Sequence, residues 1–345
     1  MNTVKKQVAG LDVSKKEFEA CFKELQENGK ITIKGARKFA NNVSGFNQYL
    51  TWCSKRRKTT LVHVMEATGV YHEELCYFLY QHAEPVSVQL PQKVKYFIKS
   101  LNLKTKTDRS DAMAIAQMGI LRTLELWQPL SEGFKQIRDM CRTLAKLNKG
   151  STAAASQLHA MKTSHSTFKE SLQVLEKLKD TYDTLIGECQ KKLLEMVKQD
   201  KVLYQRIERI TAIKGVGTLT VVKLLAETDG FRNCSSIRKL VSYAGLDVVH
   251  KESGQYVGRS RISKKGNPYI RAALYMPAIS AKKHDQRLKP FYERLENRLP
   301  KKRQAIVAVM RKILILVYTL WKNGQSYDPK RQWNEKAGRT PLRIA

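Results

Sequence analysis

From Leu158 to Val197 the chain runs forty residues with no proline and one glycine. Apolar and aromatic side chains recur along it at Leu158, Met161, His165, Phe168, Leu172, Leu175, Tyr182, Cys189, Leu193 and Met196, in steps of three, four or seven. Steps of that size hold one seam on one side of a helix, as in a coiled coil or a long helical hairpin. So long a rod does not fit inside one α/β layer, and it separates an N-terminal part of the chain from a C-terminal part. Gly133 and Gly150 bracket an earlier helix whose Phe134, Ile137, Cys141 and Leu144 share a face. Gly150-Ser151 reads as a bend, although Ala153–Ala155 would also carry the helix onward. Packing within one chain and pairing between chains both bury such a seam.

The first 120 residues alternate strand and helix signals. Gln7–Val13, Glu17–Phe22, Lys30–Ile33, Thr60–Met65 and Val86–Leu90 read as strands. Ser44 can cap a helix to about Trp52, a second runs from about Tyr71 to Tyr80, Pro91 opens a third at its first turn, and Ser110–Leu121 forms a fourth. This alternation predicts an α/β domain with a central sheet over residues 1–125. A helical region then spans 126–204. Residues 205–345 form a mostly helical C-terminal domain with Ala305–Leu320 as an apolar core helix.

Charge narrows the partner. The chain carries 63 Lys and Arg against 31 Asp and Glu, for a net charge of +32. Its 42% hydrophobic fraction is enough for real cores, which excludes a disordered tail. An excess of this size repels itself unless a polyanion neutralises it. Nucleic acid is therefore the expected partner, because phosphate contacts release counterions and dominate affinity. Phe231–Ala345 alone holds 26 Lys and Arg against 7 Asp and Glu. The six cysteines show no CxxC spacing, so they read as free thiols in a reducing cytosol. No signal peptide opens the chain, and the apolar run Ile313–Trp321 is too short to span a membrane. A cytoplasmic, nucleoid-associated protein is expected.

Four acids stand where strands end or a helix begins. Asp12 closes the first strand, Glu66 closes a later one, and Asp108 and Asp111 lie three apart at a helix start, on one face. Mg²⁺, or Mn²⁺, takes hard oxygen ligands, usually a few carboxylates plus substrate phosphate, and two such ions can clamp both oxygens of a phosphodiester displacement. Each acid has a plainer reading too: Asp108 as a helix cap with Asp111 in the first turn, Glu66 as a surface acid.

The C-terminal third offers a different chemistry. Glu252-Ser253-Gly254 places a hydroxyl on a turn, with Arg259, Arg261, Lys264, Lys265, Asn267 and Arg271 after it. Cations there can neutralise a scissile phosphate. A serine nucleophile needs activation, and His250 three residues away does not settle who supplies it. From the residues alone Ser253 is a turn serine before it is a nucleophile, with Ser260 and Ser263 as other candidates. Lys214-Gly215-Val216-Gly217 resembles a helix-hairpin-helix turn whose glycines let the backbone approach phosphate, or an ordinary turn between packed helices.

Three segments carry a family resemblance: Gly10-Leu11-Asp12-Val13-Ser14-Lys15, Met65-Glu66-Ala67-Thr68-Gly69-Val70-Tyr71, and Lys104 through Ala112. With Tyr243-Ala244-Gly245-Leu246-Asp247, Ser253-Gly254 and Lys265-Gly266-Asn267 through Arg271, they resemble the DEDD-motif transposases of bacterial insertion sequences, specifically insertion-sequence family 110 and its 1111-like group. The resemblance implies an RNase H-like, RuvC-type α/β N-terminal domain with Asp12, Glu66, Asp108 and Asp111 as its metal acids. It implies Ser253 as the nucleophile of a covalent phosphoserine intermediate, with the acids acting from another subunit. It also implies a homo-oligomer, dimer or tetramer, working on double-stranded donor and target DNA with a structured non-coding guide RNA. Two other functions fit part of the pattern. The acids alone suit a metal nuclease that uses water, and the charge alone suits an architectural nucleic-acid binder.

Overall fold

The computed structural model describes residues 3–102, 107–232, 234–250, 252–254, 256–258 and 260–330. The chain forms two compact units, Met1–Pro129 and Leu130–Ala345.

Unit one holds a five-stranded sheet. Its elements run β1 (Val4–Val13), β2 (Glu17–Gln26), β3 (Ile31–Ala40), α1 (Val43–Ser54), β4 (Leu61–Glu66), α2 (Glu73–Gln81), β5 (Val86–Gln89), α3 (Pro91–Ser100) and α4 (Asp108–Leu121). The strand order is β3-β2-β1-β4-β5. The first three strands form an antiparallel meander, and β4 and β5 join parallel to β1 through helical crossovers. This order, an antiparallel meander extended by two parallel strands, is the RNase H-like arrangement expected from the sequence. β2 and β3 are each longer than their apolar runs suggest, because antiparallel backbone pairing continues past Phe22 and Ile33.

Strand alternation gives the sheet two distinct faces. Phe18, Phe22 and Phe39 meet Phe46, Tyr49 and Trp52 of α1 on one side. The Phe18–Tyr49 and Phe39–Trp52 rings lie 5.4 and 5.6 Å apart, nearly edge-on, a geometry that adds about 0.5–1.5 kcal/mol per pair beyond burial. On the other side α4 lies against β1. A Cβ on Gly10 would stand 2.2 Å from the Ala116 nitrogen and 2.3 Å from the Ala112 oxygen, so this crossing requires glycine. Asn42 rather than Ser44 caps α1, its Oδ1 accepting from the Gly45 amide at 2.9 Å.

Among the described residues, unit two is helical apart from two short ribbons, as expected for the C-terminal part. α5 (Glu132–Thr163) and α6 (Lys169–Gln199) form an antiparallel hairpin, with Lys162 paired to Glu176 and the Cys189 thiol donating to the Met140 carbonyl. The long seam is thus a helical hairpin that turns at residues 164–168. No bend occurs at Gly150-Ser151: α5 runs straight through, and the bare Gly150 backbone receives the Tyr182 ring. The remaining helices are α7 (Lys201–Thr211), α8 (Thr218–Thr228), α9 (Ile237–Tyr243), α10 (Pro268–His284), α11 (Leu288–Arg298) and α12 (Lys302–Asn323). α12 is long and apolar enough to cross a bilayer by length and composition, but Val309, Ile313, Leu314 and Val317 are fully buried in the core of this unit.

Candidate active site

The face of the sheet under α4 collects the acids. Val8, Gly10 and Asp12 alternate onto one side of β1, and Gly10 fixes that side as the α4 side. Val64 of β4 packs on that side as well, since a Cβ on Gly119 would meet both Val8 and Val64. Glu66, two residues beyond Val64, therefore shares the face. Leu11 pairs with Met65, so Asp12 and Glu66 end neighbouring parallel strands together.

α4 brings in the other two. Thr107 caps the helix: its Oγ1 accepts from the Ser110 amide at 3.1 Å, and the Ser110 Oγ accepts from the Thr107 amide at 2.8 Å. This reciprocal box satisfies two end donors and fixes the first turn. Asp108 is therefore not consumed as the cap. Asp12 and Asp108 line one cleft of about 310 Å³ together with Glu17, Glu19, Lys38 and Tyr71. Glu66 reaches the same rim through Thr68, whose Oγ1 donates to Glu66 Oε1 at 3.1 Å. Asp111 lies one turn further along α4, half-buried.

Two cleft residues were not predicted from the sequence. Glu19 sits directly opposite Asp12 on β2, and its buried Oε2 has no hydrogen-bond partner. Lys38, opposite Glu19 on β3, donates to Glu17 Oε1 at 2.7 Å. That hydrogen bond, and after it the nearby charges of Glu17, Glu19 and Asp108, raises the Lys38 pKa. The signal was the alternation Glu17, Glu19, Cys21 against Phe18, Ala20, Phe22, which puts both acids on the α4 side of β2. Among the described residues, no three His, Cys, Asp or Glu side chains are drawn into a closed ligand set. The acids at this end of the sheet offer carboxylate oxygens, and one buried oxygen of Glu19 lacks a partner; both suit a hard divalent cation.

In unit two, two short antiparallel ribbons carry the serine segment. β6 (Val248–Val249) pairs with β9 (Arg261–Ile262), and β7 (Glu252–Ser253) pairs with β8 (Tyr256–Val257). Ser253 stands exposed, opposite Tyr256. His250 Nδ1 lies 3.1 Å from Ser260 Oγ and 4.0 Å from Glu252 Oε1, so the imidazole is engaged. Ser263 donates to Asp247 Oδ1 at 2.5 Å.

The basic residues divide by direction. Arg261, Lys264 and Lys265 stand at or near the surface, and Arg259 lies outside the described residues. Arg271 turns inward, giving Nη1 to the carbonyls of Ala244 at 2.9 Å and Gly266 at 3.0 Å, and burial lowers its pKa. Asn267 caps α10, accepting from the Tyr269 amide at 2.8 Å, and donates Nδ2 to the buried Glu227 at 2.6 Å. Arg142 completes that cluster with a two-pronged pair to Glu227 at 2.9 and 2.8 Å.

The α7–α8 turn carries Lys214, Gly215 and Gly217. The Lys214 amide donates to the buried Asp285 at 3.3 Å. Gly215, at φ +89°, lies on α10, where a Cβ would meet Ser280 and Ala281 within 2.9 Å. Gly217, at the start of α8, has nothing within 4 Å of a built Cβ, so it leaves the helix N-terminus open.

A mixed sheet with acids at one end, continued in the same chain by a basic helical unit, defines an RNase H-like DEDD protein. Comparison with known proteins supplies the family. A family model described as "Transposase", of the IS110 DEDD type, matches residues 9–167, and one described as "Transposase IS116/IS110/IS902 family" matches residues 207–293. The chain thus carries IS110/IS116-family transposase domains. It is 26% identical over 325 residues to the pilin gene-inverting protein of Moraxella bovis, covering 93% of this chain and 97% of that one. With the transposase for insertion sequence element IS1111A of Coxiella burnetii it shares 23% identity over 304 residues, covering 80% and 78%. Among solved structures, Thermus thermophilus RuvC bound to a Holliday junction substrate matches at 12% identity and TM-score 0.29, covering 35% of this chain and 99% of that one.

Proposed function

We propose that this transposase-family recombinase cuts and rejoins double-stranded DNA with two sets of its own residues, the acids Asp12, Glu66, Asp108 and Asp111 and the hydroxyl of Ser253. The observation that supports the reading is that Asp12 and Glu66 end neighbouring parallel strands on the face crossed by α4, with Asp108 at the start of that helix lining the same cleft as Asp12. Mg²⁺ or Mn²⁺ held by these four acids would supply charge to the scissile phosphate and polarise its P–O bond. Through that cation the acids would hold the phosphate from one side, and Lys15 and Lys38 line the same cleft as cations. Ser253 Oγ forms a bond to phosphorus as the bridging P–O bond to the DNA oxygen breaks. The proton lost by the serine ends on the departing DNA hydroxyl. Rejoining reverses the step with another DNA hydroxyl, so water and an energy source are not consumed.

Pairing by a structured non-coding RNA would choose donor and target, leaving the protein to grip backbones; the +32 charge supports that division. Exposed Val174, Leu178 and Leu185, four and seven apart on α6, support a homo-oligomer. The expected place of action is the bacterial cytoplasm, at the nucleoid.

The test is recombination of a donor and a target plasmid, with the protein–DNA adduct tracked on denaturing gels. Groups that merely orient a metal's ligands are worth about 10–100-fold, so removing a ligand itself with Asp12→Asn is expected to cost about 100-fold or more while the fold stays intact. Ser253→Ala is expected to abolish both joined product and adduct. Recombination that survives Ser253→Ala, or free ends formed with no adduct, sinks the serine assignment.

A further inference from the structure

The face of the sheet opposite the acids carries a second concavity that the proposed reaction does not use. It is a groove of about 580 Å³ between α1 and the edge strand β3. Arg37, Lys55 and Arg56 line it, and no acid does. The segment between Glu27 and Glu66 contains eight Lys and Arg and no Asp or Glu. Other cations of this segment are taken: Lys34 pairs with Glu24, Lys38 with Glu17 and Arg57 with Glu84. Among the described residues, the three groove cations are in no ion pair. Arg56 gives Nη1 to the Trp52 carbonyl at 2.8 Å and lies 4.5 Å over the Trp52 ring. Arg37 lies 5.2 Å from the Phe39 ring, a contact that leaves its charge unneutralised.

The rest of the lining is equally specific in type. Asn47, Gln48 and Thr51 stand on one stripe of α1 that ends at Lys55, offering amide and hydroxyl groups beside the cations. The floor depends on Gly35, where a Cβ would stand 3.0 Å from Trp52 Cζ2 and 3.1 Å from Arg56 Nε. Without a side chain there, the ring and the guanidinium lie down on β3 and the groove stays open. Trp52 itself is 7% exposed, so no aromatic face is offered for a base to stack on.

We infer that this groove binds the sugar–phosphate backbone of a nucleic acid. Arginine, lysine, amide and hydroxyl groups are the side chains that contact phosphate and sugar, and they carry no sequence information. Arg37 and Lys38 are adjacent on β3 and so point to opposite faces, one into the groove and one into the acid cleft. A strand held by Arg37 is therefore separated by the sheet from the strand at the acids. The groove holds a second segment of nucleic acid, which reacts nowhere on this face. Flanking duplex DNA and a structured RNA share this backbone chemistry.

Arg37 and Lys55 are exposed, so their replacement leaves the fold intact. Full-length Arg37→Gln/Lys55→Gln is compared with Lys93→Gln/Lys95→Gln, which removes the same charge from two exposed positions of α3. A labelled duplex DNA and a labelled RNA hairpin, both of arbitrary sequence, are titrated at several KCl concentrations. Two lost phosphate contacts are expected to flatten the plot of log K against log[KCl] by about 1.5–2 and to weaken binding about tenfold near physiological salt, on at least one probe. The probe affected identifies the source. Lys55→Gln alone is expected to give about half the change in slope. Equal effects of the two double variants, or an unchanged slope on both probes, overturn the assignment. Neither outcome depends on Ser253 or the acids.

Discussion

Gly10 decides where two of the four acids stand. Any Cβ there would run into the α4 backbone at Ala112 and Ala116, atoms that cannot rotate aside as a flexible side chain can. Gly10→Ala must therefore lift the helix that carries Asp108 and Asp111. Overpacking typically costs about 1–3 kcal/mol, and rigid backbone on the far side argues for the upper end. The expected result is a domain that still folds, with a urea midpoint lowered accordingly and recombination reduced about as far as by Asp111→Asn. Full activity in Gly10→Ala would mean that α4 need not sit so close. The acids themselves were legible because strand ends and a helix start leave marks in sequence. Glu19 and Lys38 were not, because alternation assigns them a face but only the pairing register sets Glu19 opposite Asp12 and Lys38 opposite Glu19.

At the scale of elements, legibility tracks locality. The strand ends at Asp12 and Glu66 and the helix start at Pro91 rest on neighbouring residues and could be read. The basic run after Ser253 could not be sorted into surface and interior, because its inward members find partners far along the chain. Arg271 turns in toward the carbonyl of Ala244, and Asn267 reaches Glu227 on α8. Asn267 has its side chain committed to a helix cap and to a buried carboxylate. Asn267→Ala is expected to lose about 1–2 kcal/mol of unfolding stability, the usual cost of a cap with an adjoining charged hydrogen bond. Its salt slope for DNA binding should match the wild type. A slope reduced by about one, with stability unchanged, would instead make Asn267 a phosphate contact.

Taken whole, the molecule has two units whose responses to acid differ. His63 is fully buried in unit one, between Tyr49 and Glu84. Its Nε2–H faces Glu84 Oε2 at 3.2 Å and its Nδ1 accepts from the Tyr49 hydroxyl at 2.6 Å, an arrangement that suits the neutral ring. Burial, outweighing the pull of Glu84, lowers the His63 pKa below its ordinary 6.5. Burial alone would raise Glu84, but hydrogen bonds and charge from His63 and Arg57 outweigh it and hold that carboxyl at about 2 instead of 4.5. Both shifts act in one direction, because in each case the unfolded chain takes up its proton first as pH falls. The His63 contribution is complete above pH 6.5 and fades below it, and the Glu84 contribution fades between about 4.5 and 2. In unit two His159, His165, His250 and His284 are all exposed. Lowering the pH from 7 to 5 should therefore reduce hydrogen-exchange protection in β1 and β4, after correction for intrinsic rates, while α12 keeps its protection. Equal losses in α12 and β4 would assign the acid response to the overall positive charge, which both units share, rather than to the buried histidine.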